Sequence, residues 1–276
     1  MTPPMSSRTP RKLFVVGVQI SATTYDEVAN ATASWIAADN PEETARYICV
    51  TSVHGVMEAR RDAAIRSILN AADIATPDGM PLVWALRSFG QRQQQRVYGP
   101  NLMLLLCEQA ARLGHRIFLY GGHPETLEIL RLNLLKRFPT LIIAGSYAPP
   151  FRQLTELEDQ QVCQVIREAA PHLVFVGIST PKQERWMYEH RATLPRMVMI
   201  GVGAAFDFHA GRVKQAPEWM QRNGLEWLFR LTQEPTRLWR RYLLVTPGFL
   251  PCWAAQKVRL VIRGLVNRRS PRVSGI

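Results

Sequence analysis

The sequence contains little cysteine, and the placement of its cysteines predicts no structural role for them. The four residues are Cys49, Cys107, Cys163 and Cys252, which form no C-x-x-C pair and have no histidine close to them in the chain. This spacing predicts neither a disulfide framework nor a zinc site. So few scattered thiols are typical of a protein from a reducing compartment.

Long hydrophobic runs are also missing. The most apolar late stretch, "LLVTPGFLPCWAA", is shorter than a membrane-spanning helix and contains two prolines. The apolar run near the N-terminus ends at Gln19 without a small-residue cleavage site, which argues against a signal peptide. We interpret residues 1–11 as a disordered tail and residues 13–20 as a single strand.

The two common nucleotide-binding fingerprints are incomplete or absent. No G-K-[ST] sequence is present, and "GVGAAF" lacks the last glycine of G-x-G-x-x-G. The stretch "FLYGGHPETLE" nevertheless places Gly121 and Gly122 between a strand pattern and a helix pattern. Bare backbone amides at a helix N-terminus bind phosphate well, but two glycines equally suit a plain tight turn. The residues alone leave both interpretations open.

Acidic residues are scarce at the C-terminal end of this chain of net charge +12. Residues 212–276 carry 13 lysines and arginines against three glutamates, whereas residues 1–211 carry 21 basic and 19 acidic residues. The asymmetry predicts an anionic partner for the C-terminal segment, either a nucleic acid or a membrane surface.

The remaining composition, 47% hydrophobic and 20% charged over 276 residues, is that of a globular protein. Apolar runs such as "RYICV" and "LVFVG" alternate with helical patterns as far as Gly211. This alternation predicts an α/β domain over residues 12–211, with a mostly parallel sheet and helices on both faces. Residues 212–276 lack the strand rhythm, and we interpret them as a basic helical appendage.

Polar motifs follow several of the predicted strands, at the sheet edge where open parallel sheets bind ligands. Thr51 follows "YICV" and Asp78 follows "ADIATP". The Asp-Gly pair in "TPDGMPLVW" predicts a tight turn in which Gly79 adopts a positive φ. A carboxylate at the same place would also suit a catalytic base, so the residues leave two interpretations of Asp78.

The stretch "VGISTPKQERW" sets polar residues between a buried strand and a helix. Together with "TPDGMPLVW", "RVYGPNLM", "FLYGGHPE", "GVGAAFDFHAGRVKQAPEWMQRNGLEWLFRL" and "EPTRLWRRY", it resembles the WecG/TagA/CpsF glycosyltransferases, glycosyltransferase family 26. The resemblance implies a Rossmann-like α/β fold of the GT-E type with a membrane-associating C-terminal appendage. It also implies inverting, metal-independent transfer of a sugar from a UDP-sugar to a polyprenyl-diphosphate-linked acceptor during surface polysaccharide synthesis.

The same resemblance assigns roles to individual residues. Asp78 matches the proposed catalytic base, and Thr51 matches the threonine beside it. The positions implied to bind the donor and its UDP are Arg96, Gly121, Gly122, Gln183 and Asp207. The appendage arginines implied to meet the diphosphate or the membrane are Arg237, Arg240 and Arg241.

Three positions depart from the family pattern. Val53 stands where many members have Asn, Asn101 where many have Asp, and Ser179 where Gly is common. The chain also lacks a D-x-D sequence, so arginines are expected to stabilise the leaving diphosphate in place of a metal. We therefore expect no metal and no cofactor.

The sequence thus predicts a glycosyltransferase at the inner face of the bacterial plasma membrane, peripheral and cytoplasmic, held by anionic lipid. The alternative is a nucleic-acid-binding α/β protein that uses the basic segment, although no RNA- or DNA-binding signature accompanies it. The donor sugar stays open among ManNAc, ManNAcA, glucuronic acid and glucose, as do the acceptor sugar and the oligomeric state.

Overall fold

A computed structural model describes residues 10–38 and 44–269. Residues 1–9 of the predicted tail and the last seven residues of the predicted appendage lie outside this part. The strands in the described part are β1 Lys12–Val15, β2 Val18–Ser21, β3 Arg46–Thr51, β4 Ile74–Pro77, β5 Arg116–Gly121, β6 Ile142–Tyr147, β7 Leu173–Gly177 and β8 Val198–Gly201.

The helices connect these strands and continue beyond them. Those of the α/β body are α1 Tyr25–Ala38, α2 Val53–Arg61, α3 Ala63–Ala71, α4 Met80–Ser88, α5 Gly99–Leu113, α6 Pro124–Arg137, α7 Glu156–Ala169, α8 Lys182–His190 and α9 Ala205–His209. Those of the appendage are α10 Glu218–Arg222, α11 Glu226–Gln233, α12 Pro235–Trp239 and α13 Phe249–Arg269. A π-helical segment, Arg240–Val245, and a short 3-10 turn, Thr246–Gly248, join α12 to α13.

Six strands form a parallel sheet in the order β4-β3-β8-β7-β5-β6. Alternate side chains of its central strands enter two separate cores. On β5, Phe118 and Tyr120 pack into one core, while Ile117 and Leu119 pack into the other. A sheet buried on both faces needs uninterrupted apolar strands, which explains runs such as "LVFV". The predicted α/β class, with helices on both faces, is confirmed.

The predicted first strand is wrong in one respect, because it is a hairpin. β1 and β2 pair antiparallel with Val15 opposite Val18. Val16 and Gly17 between them have φ values of 51° and 88°, the positive values of a two-residue turn that suits twisted strands. The turn interrupts an apolar run, so hydrophobicity alone gave no sign of it.

The appendage packs against the body through few buried side chains. From residue 217 to residue 262, only Leu238 and Phe249 are buried apolar residues. Helix α13 lies beside the first hairpin, where the Gln256 amide accepts from Val16 N–H and donates to the Phe14 carbonyl. Among the described residues, no helix is long and apolar enough to cross a membrane.

Gly121, at the end of β5, provides a test of how closely the strand ends are packed. Its φ is +130°, and a Cβ built there would lie 2.6 Å from the Gly177 carbonyl group. We expect Gly121→Ala to lower the free energy of unfolding by the backbone strain of about 1–3 kcal/mol. Overpacking should add about 1–3 kcal/mol more. Urea unfolding measures the total.

Gly114→Ala is the matched control. Gly114 also has a positive φ, +70°, but a Cβ there would meet nothing within 4 Å. This variant should therefore show the strain without the overpacking. Equal losses of stability in the two variants would contradict the close approach of Gly121 to Gly177.

Candidate functional site

Asp78 lies at the carboxyl end of β4, directly before α4. Its backbone N–H donates to the Thr51 carbonyl at 2.9 Å, which extends the pairing of β3 and β4 by one residue. Gly79 has a φ of −91° and is the N-cap of α4. The chain bends at Gly79, as the turn interpretation predicts, but the expected positive φ is wrong because the bend is made with an ordinary negative φ. This junction places the Asp78 carboxylate within 3.4 Å of both Arg96 Nη2 and Gly99 N.

Arg96 lies between two carboxylates, one from the body and one from the appendage. Its Nη2 is 3.4 Å from Asp78 Oδ1 and 2.6 Å from Glu226 Oε2, and its Nε donates to the Asp78 carbonyl. The three side chains are 16%, 20% and 13% exposed, so water screens these interactions only in part. The structure thus brings together the predicted residues Asp78 and Arg96, and adds Glu226.

An aromatic residue completes this group. The Arg96 guanidinium stands 4.0 Å from the centre of the Tyr98 ring, and the Tyr98 hydroxyl donates to Glu226 Oε1 at 3.0 Å. Tyr98 N–H in turn donates to the hydroxyl of Tyr25 at 2.8 Å. The orientation of Arg96 is consequently fixed by its ring contact as well as by its two carboxylates.

Burial raises the pKa of Asp78 above its ordinary value, and the charge of Glu226 acts in the same direction. The charges of Arg96 and Arg241 and a long 3.4 Å hydrogen bond from Gly99 N–H act against the rise without cancelling it. A carboxylate with a raised pKa is a stronger base than a solvated one, which is the property that general-base catalysis needs.

Thr51 is buried, and its hydroxyl is used inside the strand. Its Oγ1 donates to the Cys49 carbonyl at 3.1 Å, and its own carbonyl accepts from Asp78. Thr51 therefore positions Asp78 through the backbone. A direct catalytic contact of its hydroxyl stays a prediction.

The three predicted appendage arginines occupy different environments. Arg241 reaches the body, where its Nη2 donates to Ser52 Oγ at 3.3 Å and its Nε is buried without a hydrogen-bond partner in the described part. Arg237 is exposed and binds Glu234 at 2.5 Å. Arg240 is exposed beside the Trp239 ring. Of the three, Arg241 is the one placed beside Asp78.

A second part of the site lies at the other end of the sheet edge. Gly121 ends β5 and Gly122 follows it, four strand spacings from Asp78, or about 19 Å at ~4.8 Å per strand. Nearby Asp207, on α9, has a pKa raised by burial, against which Arg237, Arg230 and His123 act. The predicted residues thus border one long edge, with Asp78 at one end and the glycines at the other.

Gln183 is buried between these two parts, with 2% of its surface exposed. Its Oε1 accepts from Gly203 N–H at 3.1 Å, and its Nε2 donates to Glu184 Oε1 at 3.1 Å. These contacts tie the start of α8 to the end of β8. Contact of the Gln183 amide with a nucleotide stays a prediction, since its hydrogen bonds are used within the protein.

The three departures from the family pattern have distinct surroundings. Val53 is buried at the start of α2, and Asn101 is exposed on α5. Ser179 has a φ of +70°, a conformation that favours the glycine common at this position in the family. The loop before α8 therefore keeps a glycine-like backbone despite its serine.

Sequence reasoning missed Glu226, Tyr98 and Arg230. Arg230 is 12% exposed, its charge acts on Asp207, and its guanidinium stands 5.4 Å from the centre of the Phe208 ring. Glu226 had one usable signal, because it is one of only three acidic residues in a strongly basic segment. Taken together, the site places a partly buried carboxylate with a raised pKa, that of Asp78, near the guanidinium groups of Arg96 and Arg241.

The raised pKa of Asp78 predicts how pH changes stability. The folded protein binds this proton more tightly than the unfolded chain, so the free energy of unfolding falls as pH rises through the raised pKa. The Asp78→Asn variant lacks this loss, and its stability relative to the natural protein should increase as pH rises from about 4, the ordinary pKa of an aspartate. Urea unfolding at a series of pH values checks the difference, and a difference independent of pH would contradict the raised pKa.

Comparisons with known proteins identify the family of this chain. The family model described as "Glycosyl transferase WecG/TagA/CpsF family" matches residues 13–262. An N-acetylglucosaminyldiphosphoundecaprenol N-acetyl-beta-D-mannosaminyltransferase from Bacillus subtilis (strain 168) is 33% identical over 187 residues, 68% of this chain and 71% of that protein. The protein of the same name from Bacillus spizizenii is 31% identical over 188 residues, with the same two coverages. This chain belongs to the WecG/TagA/CpsF family of glycosyltransferases.

Proposed function

We propose that this glycosyltransferase moves a sugar from a UDP-sugar to a saccharide carried on polyprenyl diphosphate, with inversion and without a metal in the transfer step. The observation that carries the proposal is the partly buried Asp78 carboxylate beside Arg96 at the end of β4. The names of the two Bacillus relatives supply the acceptor class, a saccharide on undecaprenyl diphosphate. Synthesis of a surface polysaccharide is the process that such a product serves.

Inversion requires one base, because the acceptor attacks the donor carbon directly. Asp78 accepts the proton of the acceptor hydroxyl as its oxygen forms a bond to the anomeric carbon. The bond from that carbon to the UDP oxygen breaks, and UDP leaves with the electron pair. General-base assistance of this kind contributes about 10²–10⁴ in rate.

Negative charge that develops on the leaving diphosphate needs cations held in place beforehand. Arg96 and Arg241 stand near Asp78, while Arg230 and Arg237 act on Asp207 farther along the edge. An arginine binds a diphosphate with two parallel N–H bonds, which suits it to this task. Donor binding along the edge would place UDP toward Gly121 and Gly122 and its sugar toward Asp78.

The appendage suits attachment to an anionic membrane. In the described part, its large exposed apolar side chains, next to many basic ones, are Trp219, Trp227, Leu228, Trp239, Leu243, Leu244, Leu250, Val258, Leu260, Val261 and Ile262. Basic residues near an anionic surface contribute about 1 kcal/mol each, and apolar side chains add to this. We infer a peripheral association with the inner face of the plasma membrane, where the lipid-linked acceptor is available. Membership of an enzyme family leaves the nucleic-acid alternative without support.

Replacing the base tests the mechanism. Asp78→Asn should lower the transfer rate by about 10²–10⁴ while leaving UDP affinity unchanged and the protein folded, because the amide cannot accept the proton. Mass analysis of the lipid product and calorimetry with UDP measure the two effects. Asp62→Asn is the control, since Asn caps helix α3 as well as Asp does. Near-normal turnover by Asp78→Asn would disprove the role of the base.

Two adjacent arginines test the cation role. Arg241→Gln should lower kcat by about 10²–10³, the cost of removing one oriented charge donor at a transition state. Arg240→Gln should change kcat little with a soluble acceptor analogue, because Arg240 is exposed beside Trp239. Steady-state kinetics measures kcat of both variants. Equal losses of kcat would contradict the specific placement of Arg241.

A further inference from the structure

A cluster of metal-ligating residues lies away from the site described above. Asp159 and Cys163 are four residues apart on one face of α7, and His190 is the last residue of α8. One ligand atom from each of the three residues lies within 4.8 Å of the other two. Within residues 10–38 and 44–269, this is the one group of three such residues close enough to share an ion.

The histidine in the cluster is oriented as a metal ligand requires. His190 Nδ1 lies 2.7 Å from the Trp186 carbonyl, an acceptor, so Nδ1 carries hydrogen. This leaves Nε2 facing the cluster, 2.7 Å from Asp159 Oδ2. A ligating histidine usually donates its second N–H to a carbonyl or carboxylate, which fixes the ring. The Trp186 ring stacks 4.5 Å from the imidazole and fixes it further.

Two residues of the cluster are buried, and the third is partly exposed to solvent. Cys163 is 2% and His190 7% exposed, while the Asp159 side chain is 36% exposed. A metal would therefore enter past Asp159, and a water molecule could reach the same side. Thiolate and imidazole together favour Zn²⁺ over Mg²⁺ or Ca²⁺, which prefer oxygen ligands.

We propose that Asp159, Cys163 and His190 bind Zn²⁺, with water as the fourth ligand. Binding releases the thiol proton and any proton on His190 Nε2 to the solvent and involves no change of oxidation state. With Zn–N near ~2.0 Å and Zn–S near ~2.3 Å, tetrahedral ligand atoms stand roughly 3–4 Å apart. The ion would thus replace the direct contact of His190 with Asp159.

The bound ion would join α7 to α8 and so support the loop before α8. Gln183 is the second residue of that helix and lies seven residues before His190, about 10–11 Å along the helix axis at ~1.5 Å per residue. The metal would be structural, and it is independent of the proposed transfer step, which uses no metal. Loss of the ion should lower stability without removing Asp78 or Arg96 from the active site.

The competing description of the cluster is a metal-independent hydrogen-bonded group. Burial acts to lower the pKa of His190, but hydrogen bonds with Cys163, Asp159 and the Trp186 carbonyl outweigh it and raise this pKa to about 9. A metal ion must displace the proton on Nε2 to bind such a histidine, so an ion of low affinity would not bind. The two descriptions differ in whether the purified protein takes up one ion per chain.

Cobalt provides the probe, because a Co²⁺–thiolate bond gives an intense charge-transfer absorption. We expect the full-length, metal-stripped protein to bind one Co²⁺ per chain with this band, and Zn²⁺ to displace it and raise the melting temperature. Cys163→Ser should abolish the band. Cys107→Ser should keep it, because Cys107 is equally buried but lies in the other core, on α5.

Asp159→Asn provides a variant with little risk to folding, since Asp159 is partly exposed. This variant should keep the band and weaken Co²⁺ binding about 10-fold or more. His190→Gln should weaken Co²⁺ binding at least as much, or abolish it. Circular dichroism checks that each variant is folded. The proposal is overturned if the natural protein shows no band and binds no ion, or if the band survives in Cys163→Ser. Unchanged Co²⁺ affinity in both Asp159→Asn and His190→Gln would also overturn it.

Discussion

The position of Arg96 between Asp78 and Glu226 is the interaction on which the arrangement of the site depends. Asp78 belongs to the body and Glu226 to the first turn of α11, so one guanidinium joins the two parts. Two partly buried carboxylates would repel each other without a cation between them. Arg96 therefore allows the appendage to lie over the end of β4, and it does so at the residue that would accept a proton.

The α/β body could be predicted from the sequence because its buried strands are short apolar runs that are easy to recognise. The placement of Asp78 beside Thr51 also followed, since parallel neighbours end at the same edge. The position of Glu226 could not be predicted, because 128 residues separate it from Tyr98, which it binds. The local sequence "GLEWLF" does not indicate which surface of the body the Glu226 carboxylate contacts.

Two of the motif side chains, those of Gln183 and Thr51, make their hydrogen bonds within the protein. The Gln183 amide accepts a hydrogen bond from Gly203 N–H and donates one to the Glu184 carboxylate. The Thr51 hydroxyl donates to the Cys49 carbonyl. Both side chains are buried at strand ends, where loops leave backbone groups that need partners. A polar residue at such a place is consistent with support of the site as much as with contact to substrate, and sequence cannot separate these roles.

The same ion pair adds a polar contact to the limited apolar packing of the appendage. Because Leu238 and Phe249 are its buried apolar side chains between residues 217 and 262, polar contacts carry much of its attachment. A diphosphate that binds Arg96 must compete with Glu226, which already stands 2.6 Å away. Such an exchange replaces one anionic partner by another, so the net gain in electrostatic energy is smaller than for an unpaired arginine. Selection of the donor would then rest on how well its two phosphates fit the remaining arginines, and on the new position that Glu226 takes.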